Sequence, residues 1–263
     1  MGNISLSLIL FTLFIQASVG MVAINWLSLL FIPATLQHRS VSGKIILVSL
    51  CFALSGLALS FLHLGYPLNA LYALNNIGSS PMSREILAAI IYIPLLFVYY
   101  LTTLRSVGSF VHRITEALVM ISGSILILFM IKVYMLPSMP HTSTPYTPVA
   151  FIATSFILGP SLVFCIIDRQ NRDLGSRLLI GIVVFTFFSY INLLVFGIKD
   201  YGIGKINVAL VILYPLAMIA VLISIYRRFR NNFTPPGVIS LGLVFFCEFL
   251  NRYLLFTNTY PSL

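Results

Sequence analysis

Long apolar runs limit what this sequence is able to fold into. A helix needs roughly 20 mostly apolar residues to cross a bilayer, and about eight such runs follow one another near residues 5–32, 44–64, 84–104, 114–136, 148–167, 177–198, 206–226 and 237–257. The loops between them are too short to hold a soluble domain. Charged residues make up only 8% of the chain and hydrophobic ones 59%, a balance that excludes a soluble globular fold. The sequence therefore predicts a single domain, 1–263, built as an all-α polytopic bundle of about eight transmembrane helices embedded in a lipid bilayer.

Basic residues orient the bundle, because Lys and Arg are retained on the cytoplasmic side. The loops after spans one, three, five and seven carry Arg39, Lys44, Arg105, Arg113, Arg169, Arg172, Arg177, Arg227, Arg228 and Arg230, against only Arg84, Lys199 and Lys205 in the alternate loops. Both termini are expected outside, periplasmic if the membrane is the bacterial cytoplasmic one. The net charge of +9 is then a topology signal, and no nucleic-acid surface is expected. The first apolar run lacks a preceding basic stretch, so it reads as a span rather than a secretory signal.

Cysteine and histidine usage bears on redox chemistry. Cys51, Cys165 and Cys247 each fall in an apolar run with no CxxC pair, whereas an iron–sulfur cluster takes four thiolates. His38, His63, His112 and His141 all fall near span ends or in loops, and none stands mid-span where facing haem ligands belong. Neither a cluster nor a haem is expected in this protein, and no other metal.

Intramembrane charges carry the strongest functional reading, since each costs roughly 2.5–3.5 kcal/mol on insertion scales. Span two ends at His63, with Gly65 and Pro67 just beyond, and span three begins around Arg84 and Glu85. A polypeptide that leaves and re-enters the bilayer does so on one face, so His63 and Glu85 share that face, the outer one. Lys132, followed by Tyr134, lies near the outer end of span four. Glu248 lies mid-span in the last run with Arg252 four residues on, so the two share a helix face as either a structural ion pair or part of a proton path. Glu116 and Asp168 are placed at the inner boundary, in contact with water.

The run Leu62-His63-Leu64-Gly65, Pro67, Ala70, Leu74-Asn75, Gly78, Ser80, Ser83, Glu85-Ile86 closely resembles the membrane anchor subunit of bacterial dimethyl sulfoxide reductase. Lys132-Val133-Tyr134, Thr147-Pro148, Phe151 and Gly159-Pro160 are similar to the fourth and fifth spans of that family, with Lys132 where an Arg is expected, and Glu248 with Arg252 to its last span. The resemblance implies a three-subunit molybdoenzyme of anaerobic respiration in the bacterial inner membrane. Its anchor has no redox centre of its own, binds menaquinol, and holds a four-cluster iron–sulfur subunit and a molybdopterin catalytic subunit. It also implies that His63 and Glu85 bind the quinol.

Quinol oxidation releases two electrons and two protons. A protein without a cofactor cannot relay electrons across roughly 30 Å of hydrocarbon, so the ring is expected beside the partner's first cluster, on the face of His63. The expected site is His63, Glu85, Arg84, Gly65, Lys132 and Tyr134: His63 takes a hydroxyl, Glu85 carries protons outward, and Lys132 or Arg84 steadies the anionic, partly oxidised headgroup. Two rivals stand beside this reading. An anchor of another molybdenum oxidoreductase shares the membrane chemistry and differs only in the terminal substrate. A small secondary transporter also suits intramembrane charges and the prolines Pro94, Pro160 and Pro215, although such proteins often carry internal repeats and none is legible between the two halves.

Overall fold

The computed structural model describes residues 6–31, 36–63, 72, 74–105, 108–138, 142–167, 172–197, 208–230 and 235–257. Among them are eight α-helices and no strand: α1 (Leu6–Phe31), α2 (Leu36–His63), α3 (Pro81–Leu104), α4 (Ser109–Tyr134), α5 (Tyr146–Ile166), α6 (Arg172–Asn192), α7 (Val208–Arg230) and α8 (Pro235–Thr257). A π-helical turn, Leu193–Gly197, extends α6. The shortest helices have 21 residues, or about 31 Å at 1.5 Å per residue, enough for the hydrocarbon layer. The windows Leu6–Ser28, Val41–Phe61, Pro81–Leu104, Phe110–Tyr134 and Tyr146–Ile166 are long and apolar enough to span on composition alone, while α6 and α7 contribute the shorter stretches Ile180–Phe196 and Leu210–Ser224. The protein is an all-α, multi-pass membrane protein.

Local chemistry explains where α3 starts. Ser80 is its N-cap, with a side chain that accepts from Ser83 N, and Pro81 follows in the first turn. Proline suits that position because the first N–H groups of a helix lack partners anyway. Hydropathy alone places this start three residues later. Pro94, Pro160 and Pro215 lie inside α3, α5 and α7; membrane helices tolerate such breaks because neighbouring groups satisfy the freed carbonyls.

The helices pack as two units, residues 5–134 and 135–263. In the N-terminal unit α1 packs on α2, α2 on α3, α3 on α4 and α4 back on α1; in the C-terminal unit α5, α6, α7 and α8 close the same ring. Contacts fix the sense of each seam. Phe14 meets Phe52 at 5.1 Å between ring centroids and Ser18 Oγ lies 2.9 Å from Ser49 Oγ, so α1 and α2 run antiparallel. Tyr99 with Glu116 and Thr102 with Thr115 set α3 against α4 in the same way. Phe156 stacks on Phe185 at 4.8 Å across α5 and α6. Each unit is thus an up-and-down four-helix bundle.

Gly123 shows how tightly the first bundle closes. A Cβ there would stand 3.0 Å from Tyr92 Cε2 and 3.2 and 3.3 Å from the methyls of Val19. Without a hydrophobic drive between helices in lipid, such close approach by small residues is what holds a membrane bundle together. Gly123→Val is expected to destabilise the protein by about 1–3 kcal/mol, the usual range for overpacking, measured as a lowered unfolding midpoint in mild detergent.

Candidate functional site

Register along the helices decides which of the predicted residues can meet. Gly43 of α2 faces Thr103 of α3. Counting back along the antiparallel pair from that contact brings the last residue of α2, His63, level with Ser83, beside Arg84 and Glu85. Tyr92 against Gly123 sets α3 on α4, and the same counting brings Lys132 and Tyr134 level with the first turn of α3. The end of α2, the start of α3 and the end of α4 therefore gather His63, Arg84, Glu85, Lys132 and Tyr134 at one end of the N-terminal unit. The side chain of His63, and Gly65 altogether, lie outside the described residues, as do His141, Asp168 and the side chain of His38.

Within this cluster the side chains divide sharply. Glu85 is 7% exposed, and its Oε1 is buried with no hydrogen-bond partner among the described residues. A buried carboxyl oxygen left unpaired is costly, and no described residue supplies the donor it calls for. Tyr134 is buried as well. Lys132, in the last turn of α4, is exposed, as befits a long side chain reaching the interface. Arg84 is half-buried and donates from Nε to Ile77 O at 2.9 Å and from Nη2 to Gly78 O at 2.5 Å.

Below Glu85, one face of α3 carries polar groups at a seven-residue spacing, about 10 Å or two turns apart. Tyr92 OH lies 2.8 Å from Ser18 Oγ, which in turn meets Ser49. Tyr99 OH donates to Glu116 Oε1 at 2.9 Å and accepts from Asn25 Nδ2 at 3.1 Å. Glu116 is buried, which corrects the expectation that water solvates it: α4 starts at Ser109, so Glu116 stands two turns inside the helix on the face that meets Tyr99. His112 packs its ring against Tyr99 at 5.2 Å between centroids. Buried Ala88 and Ala89 occupy the same face between Glu85 and Tyr92, and buried Leu96 stands between the two tyrosines.

The C-terminal unit holds a second polar layer built from all four of its helices. Glu248 Oε1 accepts from Tyr214 OH at 3.0 Å, and its Oε2 accepts from Thr154 Oγ1 at 2.6 Å. Arg252 Nη2 donates to the same Thr154 oxygen at 3.4 Å, and its guanidinium lies over the Phe151 ring, 3.7 Å from the centroid. Tyr214 OH also meets Ser189 Oγ at 3.2 Å. One turn further along α8 Tyr146 OH donates to Asn251 Oδ1, and Asn192 Nδ2 donates to Tyr146 O at 3.2 Å. Glu248 and Arg252 are visible in the sequence as a pair on one helix face. Thr154, which joins them, is not, nor are Tyr214, Ser189 and Asn251; hydroxyls and amides inside an apolar run give no signal until a partner helix is placed beside them. No group of three or more His, Cys, Asp or Glu side chains able to hold a metal occurs among the described residues.

Comparisons with known proteins bear on both units. The family model of the DMSO reductase anchor subunit (DmsC) matches residues 1–198. The protein is similar to the C subunit of the anaerobic dimethyl sulfoxide reductase of Haemophilus influenzae, 30% identical over 195 residues that cover 69% of this sequence and 67% of that one. Against the C subunit from Escherichia coli it is 29% identical over 173 residues, 63% of this sequence and 58% of the relative. Against the anaerobic dimethyl sulfoxide reductase subunit YnfH of Escherichia coli it is 31% identical over 115 residues, 43% and 40% of the two sequences.

Proposed function

The chain belongs to the family of DMSO reductase anchor subunits, and from that premise we propose that it oxidises menaquinol at the end of the N-terminal unit where α2, α3 and α4 bring His63, Glu85 and Tyr134 together. As a member of that family it is a membrane anchor of a DMSO reductase-type complex. The electrons go to a partner iron–sulfur subunit and from there to a molybdopterin catalytic subunit. The observation that carries this reading is the buried Oε1 of Glu85, unpartnered among the described residues and level with the end of α2.

The chemistry asks little of the protein beyond holding and deprotonating. A quinol gives up two O–H protons and two electrons, and the electrons leave one at a time to a nearby cluster. The imidazole of His63 is the group to accept a hydrogen bond from one hydroxyl. Glu85 takes the proton and returns it to water, the work of a positioned general base. Tyr134 walls the headgroup, and the exposed Lys132 gives the entrance positive charge. The termini and this site face the periplasm in the bacterial inner membrane, and both partner subunits dock on that face.

Protons released at Glu85 have a short way out. The apolar residues between Glu85 and Tyr92, and between Tyr92 and Tyr99, favour exit on the Glu85 side over conduction through the unit. If terminal reduction consumes protons on that same side, turnover in sealed, oriented vesicles is expected to move no net charge, and charge uptake recorded during turnover would contradict the arrangement. In the C-terminal unit, the hydrogen bonds joining Glu248, Thr154 and Tyr214 across three helices support a brace rather than a proton path.

The direct test is purification of the protein from its membrane in mild detergent, with subunit identification and analysis of iron and molybdenum. Two soluble partners that together carry both metals are expected. A subunit that purifies alone and metal-free, under conditions that keep comparable complexes intact, argues against the anchor role.

A further inference from the structure

Arg84 holds an unusual place. It stands in the first turn of α3, where the positive end of the helix dipole disfavours a cation. Its guanidinium turns back along the chain and donates to two consecutive carbonyls of the preceding loop, Ile77 O at 2.9 Å and Gly78 O at 2.5 Å. The loop is folded for that grip: Ser79 N and Ser80 N both donate to Asn76 O, at 3.1 and 2.8 Å, and Ser80 Oγ accepts from Ser83 N at 3.4 Å. Among the described residues little else anchors it. Tyr72, Asn75, Asn76, Gly78 and Ser79 are all exposed, and Leu74 and Ile77 only half-buried, so hydrophobic packing gives the segment little purchase.

From this geometry we infer that Arg84 is a positioning residue, a clamp that ties the return loop 74–80 onto the first turn of α3 and thereby fixes the backbone that presents Glu85. This differs from the part the sequence suggests, in which Arg84 steadies an anionic headgroup by its charge. The distinction rests on stereochemistry. A guanidinium is a rigid planar fork that can engage two acceptors at once, whereas a lysine ammonium is a compact point charge. Two of the three guanidinium nitrogens are already committed to the loop. The clamp itself stands on the hydrogen bonds; its bearing on catalysis rests on the quinol reading above.

Lysine and glutamine at this position separate the two roles. Arg84→Lys and Arg84→Gln would each be prepared in the intact complex and followed by hydrogen–deuterium exchange over residues 74–83 and by quinol-driven turnover. The clamp predicts that exchange in this segment rises about ten-fold in both variants, with the lysine no better than the glutamine, and that kcat for quinol oxidation falls about ten-fold while KM changes less, as expected when a general base is misplaced. Wild-type exchange in both variants overturns the clamp, whatever happens to turnover. A lysine variant that behaves as the parent while the glutamine variant loses turnover overturns it in favour of the charge role. Raised exchange with unchanged kcat in both overturns the positioning of Glu85. A parent complex that oxidises no quinol would refute the functional reading, and the exchange measurement would still decide the clamp.

Discussion

Glu85→Gln in the intact complex is expected to slow quinol-driven reduction of the partner's iron–sulfur clusters by about two orders of magnitude, the contribution of a well-placed general base. Reduction of the same clusters by a soluble dye is expected to be unchanged. The substitution preserves shape and can still hydrogen-bond, so what it removes is the ability to take a proton. Because Glu85 is buried and its Oε1 lacks a partner among the described residues, glutamine should fit without disturbing a pre-existing pair, and the unfolding midpoint should move little. His63→Gln is expected to act in the same assay with a larger effect on KM, since its proposed part is to bind. A loss seen equally with quinol and dye would mean that the complex had come apart. An undiminished quinol rate would remove Glu85 from the mechanism.

The largest effect on stability is expected at Glu248. Removing one partner from a buried charged pair leaves the other stranded and typically costs about 3–5 kcal/mol. Here Glu248→Leu would leave Arg252 buried beside Phe151 and take from Thr154 and Tyr214 the carboxylate they both bond. Arg252→Leu should cost a comparable amount. The informative variant is the double one: with both charges gone and apolar bulk in their place, the loss should be well below the sum of the two, since such replacements are often neutral. Additive losses would show that the two residues act independently. Glu248→Gln tests the remaining alternative. It keeps the hydrogen-bond geometry, so quinol turnover near the parent value supports the brace, whereas a large fall in turnover with little loss of stability would restore the proton path.

The bundle is legible because lipid imposes a simple rule: spans must be long, apolar and helical, and the predicted spans match the observed helices apart from their ends. The ends move where polar residues continue a helix past its apolar run, as at 36–44, or where a cap such as Ser80 sets the start. Two features are not legible. The shared ring order of the two units leaves no sequence repeat, because lipid-facing positions accept almost any apolar residue. The burial of Glu116 escapes because hydropathy finds where a span begins but not which face of it meets a neighbour. At the candidate site the hairpin argument suffices for His63 and Glu85, since topology alone brings them to one end. The commitment of Arg84 to Ile77 and Gly78 needs coordinates, for a side chain that reaches back to backbone carbonyls has no pattern in residue types.

The ring order of each bundle has a consequence for biogenesis. In both units three of the four seams join helices adjacent in sequence, and only α1 with α4 and α5 with α8 join distant ones. Each hairpin can therefore pair as it leaves the translocon, and the arrival of every fourth helix closes a circle. At translation rates of about 5–20 residues per second, the N-terminal circle, with Glu85 in place, is complete on the order of ten seconds before the last helix is made. A partner subunit that recognised only this end of the molecule would have something to bind while the second half was still on the ribosome.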